Sequence, residues 1–288
     1  MYNPKYPRVS ILGCGWVGKP LAQHLSGAGY MVKGSRTTAE GVAEMNALGV
    51  QGCLVKLEEW QVIAEDTFWE ADVLMIDVPP RMHRGPQVFA NEMATLRDHL
   101  LQTAIRKVIF ISSTAVYPNV NDIVDETSSL PADKSNGQAL LDAEQIFLHA
   151  PGMDTVVIRF GGLAGYNRFP ATQARLDEAS GLNMPVNLIH RDDCIGIIAQ
   201  VLQKDIWGET FNACASAHPL KYDYLSAVAD WYGLHRPTRK DSEEASWKII
   251  SNNKLKEMLG YSFLYDDPLQ FLDVHSKALV QKQGSEQA

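Results

Sequence analysis

The chain has 288 residues, 45% of them hydrophobic and 21% charged, with a formal net charge of −8. That length suits one large or two small domains with a substantial core. The acidic balance argues against nucleic acid or an anionic membrane as partner, because both are met by clustered Lys and Arg. Four scattered cysteines (Cys14, Cys53, Cys194 and Cys214) lack CxxC spacing, and the eight histidines lack HExxH spacing. This usage points to free thiols in a reducing cytoplasm, with no disulfide framework and no metal site. Lys5 and Arg8 ahead of an apolar run imitate a signal peptide, but the run breaks at Gly13 and Gly15 and reads as a buried strand. No stretch approaches the ~20 apolar residues of a membrane span.

Along the first half, short β-branched runs alternate with helical patterns, as successive βαβ units and a parallel sheet require. Strands are predicted at Val9–Leu12, Met31–Gly34, Cys53–Lys56, Val73–Asp77, Val108–Ile111 and Thr155–Arg159. Helices are predicted near Val17–Ser26, Ala39–Leu48, Pro86–Ala104 and Gly137–His149. Within the third, Phe89, Met93, Leu96 and Leu100 recur on one helical face. After Phe160 the pattern changes. A turn-rich Gly161-Gly-Leu-Ala-Gly165 leads into a polar stretch, 167–181, with no clear strand. Pro185–Ile189 then reads as a short strand, Asp192 as the cap of a helix carrying Ile195, Ile198 and Leu202, and Thr210–Ala213 as a further strand. Helices near Tyr222–Tyr232 and Asn252–Leu259 follow. The expected organisation is a doubly wound Rossmann-type α/β domain over residues 1–160. A smaller C-terminal α/β substrate region, 161–280, packs on it, and a disordered tail spans 281–288.

Gly13-Cys14-Gly15-Trp16-Val17-Gly18 carries the first chemical signal. The spacing gains meaning because it follows a strand and opens a helix. Gly13 permits a tight turn, Gly15 lets backbone approach a pyrophosphate, and Gly18 lets the helix pack close to the strand. N–H groups at the helix start then meet the anion. At the end of the second strand an acidic residue would select NAD. The segment Lys33-Gly34-Ser35-Arg36-Thr37-Thr38 has no carboxylate until Glu40. Arg36 offers a fork of donors to a 2′-phosphate, with hydroxyls from Ser35, Thr37 or Thr38 beside it. The reading is NADP(H), with NAD the weaker fit.

The second signal is Val108-Ile-Phe-Ile-Ser112-Ser113-Thr-Ala-Val-Tyr117-Pro118. With the glycine turn, and with Asn187-Leu-Ile-His190-Arg-Asp192-Asp193, Thr210-Phe-Asn212-Ala and Ile250-Ser-Asn252 through Gly260-Tyr261, the chain resembles the extended short-chain dehydrogenase/reductases of the epimerase/dehydratase group. The resemblance covers most of the chain. It implies that Ser113 hydrogen-bonds a substrate oxygen and that a Tyr-x-x-x-Lys pair supplies the acid/base. It also implies that backbone at Val78-Pro79-Pro80 and Phe160-Gly161 lies by the nicotinamide, that the substrate is a small molecule, and that helices near 86–104 and 137–149 form a dimer face in many relatives. A homodimer is therefore left open.

The expected pair is missing. Aligning Gly137 and Glu144 with the family pattern puts Asn136 at the tyrosine position and Leu140 at the lysine position, and none of the ten tyrosines has a lysine four residues later. A positioned acid/base is worth ~10²–10⁴ in rate. Its replacement would fall to Tyr117, in the loop after a strand end, or to His190, which can titrate near neutrality. The same departure, with the strings Gly15-Trp-Val-Gly-Lys-Pro-Leu21 and Cys214-Ala-Ser-Ala-His-Pro219, is similar to an atypical YeeZ-like branch. Two functions stay open: an NADP(H)-dependent oxidoreductase or epimerase-like enzyme with a substituted acid/base, and an NADP-binding or redox-sensing module whose hydride chemistry has lapsed. A scaffold without cofactor is a third.

Overall fold

The computed structural model of the protein describes residues 6–129, 131–132, 134–239 and 246–272. In chain order its elements are β1 (Arg8–Leu12), α1 (Gly18–Gly27), β2 (Met31–Arg36), α2 (Ala39–Ala47), β3 (Gln51–Glu58), β4 (Gln61–Ala64), β5 (Val73–Ile76), α3 (Pro86–Leu100), β6 (Lys107–Ser113), β7 (Asp122–Val124) and α4 (Ser135–Leu148). There follow β8 (Asp154–Phe160), β9 (Gly162–Ala164), α5 (Gln173–Asp177), β10 (Leu188–His190), α6 (Arg191–Lys204), β11 (Thr210–Ala213), α7 (Lys221–Tyr232), β12 (Lys248–Ile250) and α8 (Asn253–Leu259). The chain divides into two compact units, each discontinuous in sequence. The first comprises the chain to Val116, Pro131–Arg159 and Ile195–Phe211; the second comprises Tyr117–Leu130, Phe160–Cys194 and the chain from Asn212. A single cut near residue 160 does not separate them. The tail expected at 281–288 lies outside the described residues.

The first unit is built on the large sheet, with strand order β11-β8-β6-β5-β1-β2-β3-β4. The pairs β1–β2, β1–β5, β2–β3 and β5–β6 are parallel, and β4 is antiparallel to β3 at the edge. Strands buried on both faces read as continuous apolar runs, and all four residues of β5 are buried. Phe89, Met93, Leu96 and Leu100 of α3 are all buried, so the helical stripe faces the core. Each such side chain contributes roughly 1.5–3 kcal/mol on burial. The chain order reverses across β1, which has β5 on one side and β2 on the other. That reversal is the point where open α/β sheets bind ligands, beyond the strand C-termini.

In the second unit β9 pairs in parallel with β10, and β7 with β12. Its core gathers Phe169, Leu176, Leu182, Tyr224, Leu225, Val228 and Phe271. Gly233 and Gly260, both in the left-handed region, end α7 and α8, where a side chain would be strained.

Several expected boundaries move. The helix predicted to Ala104 ends at Leu100, because Thr103 turns the chain by donating to the Leu100 carbonyl and accepting from Ile105 N–H. The strand predicted at Pro185–Ile189 is Leu188–His190, with Pro185 bridged to Leu220 and the Asn187 side chain spent on Lys248 and Ile250 backbone. Asp192 does not cap a helix. Helix α6 starts directly at Arg191, which places Asp192 in its first turn, where its carboxylate accepts from Tyr166. The polar stretch 167–181 contains the short helix α5.

Candidate functional site

The glycine turn leaves β1 and enters α1 with little freedom. Gly13 has φ +103°, and a Cβ there would stand 2.2 Å from the Asp77 carbonyl oxygen, so only glycine fits. At Gly18 a Cβ would lie 2.4 Å from the Gly13 carbonyl, which fixes how closely α1 approaches β1. Gly15 differs from both. It is exposed, and nothing lies within 4 Å of where its Cβ would be. Backbone N–H of Gly13 and Cys14 donate to the Ser35 hydroxyl and carbonyl, at 2.9 and 3.2 Å, tying the turn to the end of β2. Val17 occupies the cap position of α1 with no side-chain acceptor, so no side chain closes that helix N-terminus to an anion. Cys14 points inward. Its thiol is buried and pushed up to about 12 by desolvation, and its carbonyl accepts from Arg36 Nη1 at 2.6 Å. Trp16 is half-buried.

A cavity of about 360 Å³ opens from this turn. Gly13, Cys14, Gly15, Ser35, Arg36 and Thr37 line one part of it, and Val78 and Pro79 another, so the first unit brings these residues together. Three expected hydroxyls divide by geometry. Ser35 is buried and accepts from Gly13, Thr38 caps α2 by accepting from Gly41 N–H at 3.2 Å, and Thr37 stays exposed at the cavity. Further walls, among them Val55, Leu57, Asp77 and Phe89, come from the ends of β3 and β5 and from α3. Sequence reasoning missed them, although Val55 and Leu57 continue the period-2 burial of β3 to the strand end where ligands gather. Arg81 donates to the Leu57 carbonyl and the Glu92 carboxylate, and Arg84 also reaches Glu92. Together they fix the loop after Pro80. Burial raises the Glu92 carboxyl above its ordinary value, against the pull of the two arginines.

Ser113 ends β6, half-buried, and its Oγ accepts from Ala115 N–H at 3.1 Å, which leaves its own proton to donate. Gly137 makes room for the same segment, since a Cβ there would meet the Ala115 carbonyl at 2.2 Å. Asn136, one residue earlier on α4, is half-buried, and its Oδ1 accepts from Gly137 N–H. Leu140, one turn on, is 6% exposed and belongs to the core. A further turn along, Glu144 is fully buried. It accepts from Ser112 Oγ at 2.5 Å and from the Arg159 guanidinium at 2.5–3.2 Å.

The other expected site residues lie in the second unit. Tyr117 is buried, with its hydroxyl donating to Asn212 Oδ1 at 2.8 Å. His190 is buried among Tyr166, Tyr265 and Phe271, with ring centroids 5.5, 3.9 and 5.5 Å away, and its Nδ1 accepts from Asp192 N–H at 3.3 Å. Phe160 is buried. Gly161 is required by its own unit, where a Cβ would stand 2.8 Å from the Asn187 carbonyl. Among the described residues no group of three or more His, Cys, Asp or Glu is placed to hold a metal ion, and no helix is long and apolar enough to cross a membrane.

The chain matches no family model. It is 33% identical over 267 residues to Protein YeeZ of Escherichia coli strain K12, covering 91% of this chain and 97% of that protein. Among solved structures it is similar to a short-chain dehydrogenase/reductase superfamily protein from Agrobacterium tumefaciens with bound NAD, at TM-score 0.77 and 18% identity, over 97% of this chain and 99% of that one. A UDP-glucuronic acid 4-epimerase from Bacillus cereus, in complex with UDP-glucuronic acid and NAD, matches at TM-score 0.76 and 18% identity over 96% and 99% of the two chains. Identity at this level across almost the whole of both sequences makes the chain a member of the YeeZ family, built on the fold of the short-chain dehydrogenase/reductases and the epimerase/dehydratases.

Proposed function

We propose that this protein binds a nicotinamide adenine dinucleotide in the first-unit cavity, prefers the 2′-phosphorylated form, and serves an oxidoreductase or epimerase-like reaction with a substituted acid/base. The observation that carries this reading is the open space at Gly15, in a turn where Gly13 and Gly18 are locked by backbone contacts. A glycine whose Cβ position is empty leaves room for a pyrophosphate to approach the turn closely. Arg36 and Thr37 then face the ribose, and Val55, Leu57 and Val78 offer apolar walls. The NAD bound by the Agrobacterium and Bacillus proteins of the same fold supports the class of ligand. A bound nicotinamide supplies hydride donation or acceptance. Ser113 orients a substrate oxygen by donating its hydroxyl proton. Asn136 adds amide donors that do not titrate, so any proton moved in the reaction comes from another group, for which Tyr117 and His190 are the candidates.

One observation favours a second reading, a binding protein without turnover. The Tyr117 hydroxyl is already given to Asn212, and His190 is enclosed by three rings. The first test is thermal shift. Ligand at about 100 times Kd stabilises the native state by ~2.7 kcal/mol, so NADPH raises the melting temperature more than NADH does at equal concentration. Arg36→Ala removes most of that difference; equal shifts in the unaltered protein refute the NADP(H) preference. Turnover across carbonyl and sugar-nucleotide substrates that disappears in Ser113→Ala decides for the enzyme, and cofactor binding without turnover decides for the second reading.

A further inference from the structure

Arg36 is not a loose surface cation. One side of its guanidinium is fixed on the Cys14 carbonyl, and its chain lies in a slot that exists because residue 41 is glycine. A Cβ at Gly41 would stand 2.6 Å from Arg36 Nε. Three residues further along α2, on the same helical face, Glu44 places one carboxylate oxygen 3.7 Å from Arg36 Nη2 and the other 2.5 Å from Lys19 Nζ. Lys19 belongs to the first turn of α1, directly after the glycine turn. Strand, phosphate turn and second helix thus bring two cations and one anion to the rim where Arg36 enters the cavity. Among the described residues Glu44 is the acidic partner of both cations. Lys19 above all, with a smaller pull from Arg36, lowers its carboxyl from the ordinary value.

We infer that Glu44 determines how strongly the site discriminates NADP(H) from NAD(H), as an internal carboxylate holding the two cations that a ribose 2′-phosphate needs. This inference rests on reading the cavity as an NADP(H) site. A phosphate monoester carries close to two negative charges near pH 7 and takes several donors at once. With Glu44 in place, Arg36 and Lys19 offer a net charge of one, and part of their donor capacity is spent. A ribose with a free 2′-hydroxyl places no charge there, so its binding is nearly indifferent to Glu44. The carboxylate therefore lowers affinity for the phosphorylated cofactor selectively, while keeping the two cations ordered when no phosphate is bound.

The test titrates NADPH and NADH by fluorescence against the unaltered protein, Glu44→Gln, Glu44→Ala and Glu40→Gln. Glu40, also on α2, is exposed, so its variant removes the same charge without touching either cation. Loss of one exposed ion pair predicts about three- to five-fold tighter NADPH in both Glu44 variants. NADH should stay within about two-fold, and the gain should shrink in high salt. Glu40→Gln should leave the ratio unchanged. If the unaltered protein prefers NADPH and loses that preference in Arg36→Ala, yet the Glu44 variants bind NADPH no tighter, this inference is overturned and the NADP(H) reading stands. If the unaltered protein prefers NADH and Glu44→Gln weakens NADH, both fall, because Glu44 is then the acceptor for the ribose hydroxyls.

Discussion

Gly15→Ala separates what the glycine turn does for folding from what it does for binding. Gly15 is outside the positive-φ set, and its Cβ position is empty to 4 Å, so alanine fits the native backbone. Replacing glycine at a compatible site stiffens the unfolded chain and stabilises by ~0.4–1 kcal/mol. The same methyl group stands where, on the proposed function, the turn meets a pyrophosphate. Each hydrogen bond to a charged group is worth about 1.5–3 kcal/mol, so losing one or two weakens NADPH roughly 10- to 10³-fold or more. Melting of the ligand-free protein should therefore be unchanged or higher, and fluorescence titration should show the loss. Gly18→Ala is the contrast. Its Cβ would meet the Gly13 carbonyl at 2.4 Å, so melting temperature and affinity fall together. Wild-type NADPH affinity in Gly15→Ala would remove the basis for placing the pyrophosphate at this turn.

Two further outcomes follow from buried charge. Glu144→Ala removes the carboxylate that meets the buried Arg159 guanidinium at 2.5 Å, and breaking a buried pair from one side costs about 3–5 kcal/mol; urea unfolding checks it, and the paired change Glu144→Leu with Arg159→Met should recover most of the loss. Burial depresses His218 below its ordinary value, so on acidification the unfolded chain takes up that proton first. Stability should then fall as pH drops below about 6.5, and less steeply in His218→Gln; identical slopes in urea titrations at pH 7 and pH 5 would contradict the burial argument.

Much of the first unit was legible because glycine spacing and apolar runs are local. The turn 13–18 and strands β1, β2, β5, β6 and β8 follow from nearest neighbours, and the α3 stripe from its period. Pairings between distant segments were not legible. Strands β7 and β12 are three residues each and exist through one another, with Asp122 opposite Lys248 across 126 positions. Neither carries an apolar alternation of its own. At the cavity, Arg36 stood out as a basic residue where an acid is expected. Lys19 and Glu44 gave no such signal, because exposed charges on a helix look alike until two helices are seen to meet. Asp77 was hidden for a related reason: its strand was found, but which strand lies beside β1 is set by sheet order.

Leu140 bears on whether position 140 could hold a cation at all. Because it fills the interior at 6% exposure, placing a lysine there would exchange a packing residue for an ammonium group that must be desolvated or neutralised. The carboxylate one helical turn away is no refuge, since Arg159 and Ser112 already engage it. Leu140→Lys would thus destabilise the fold whatever stands at position 136. The core itself keeps a cation away from this point of α4.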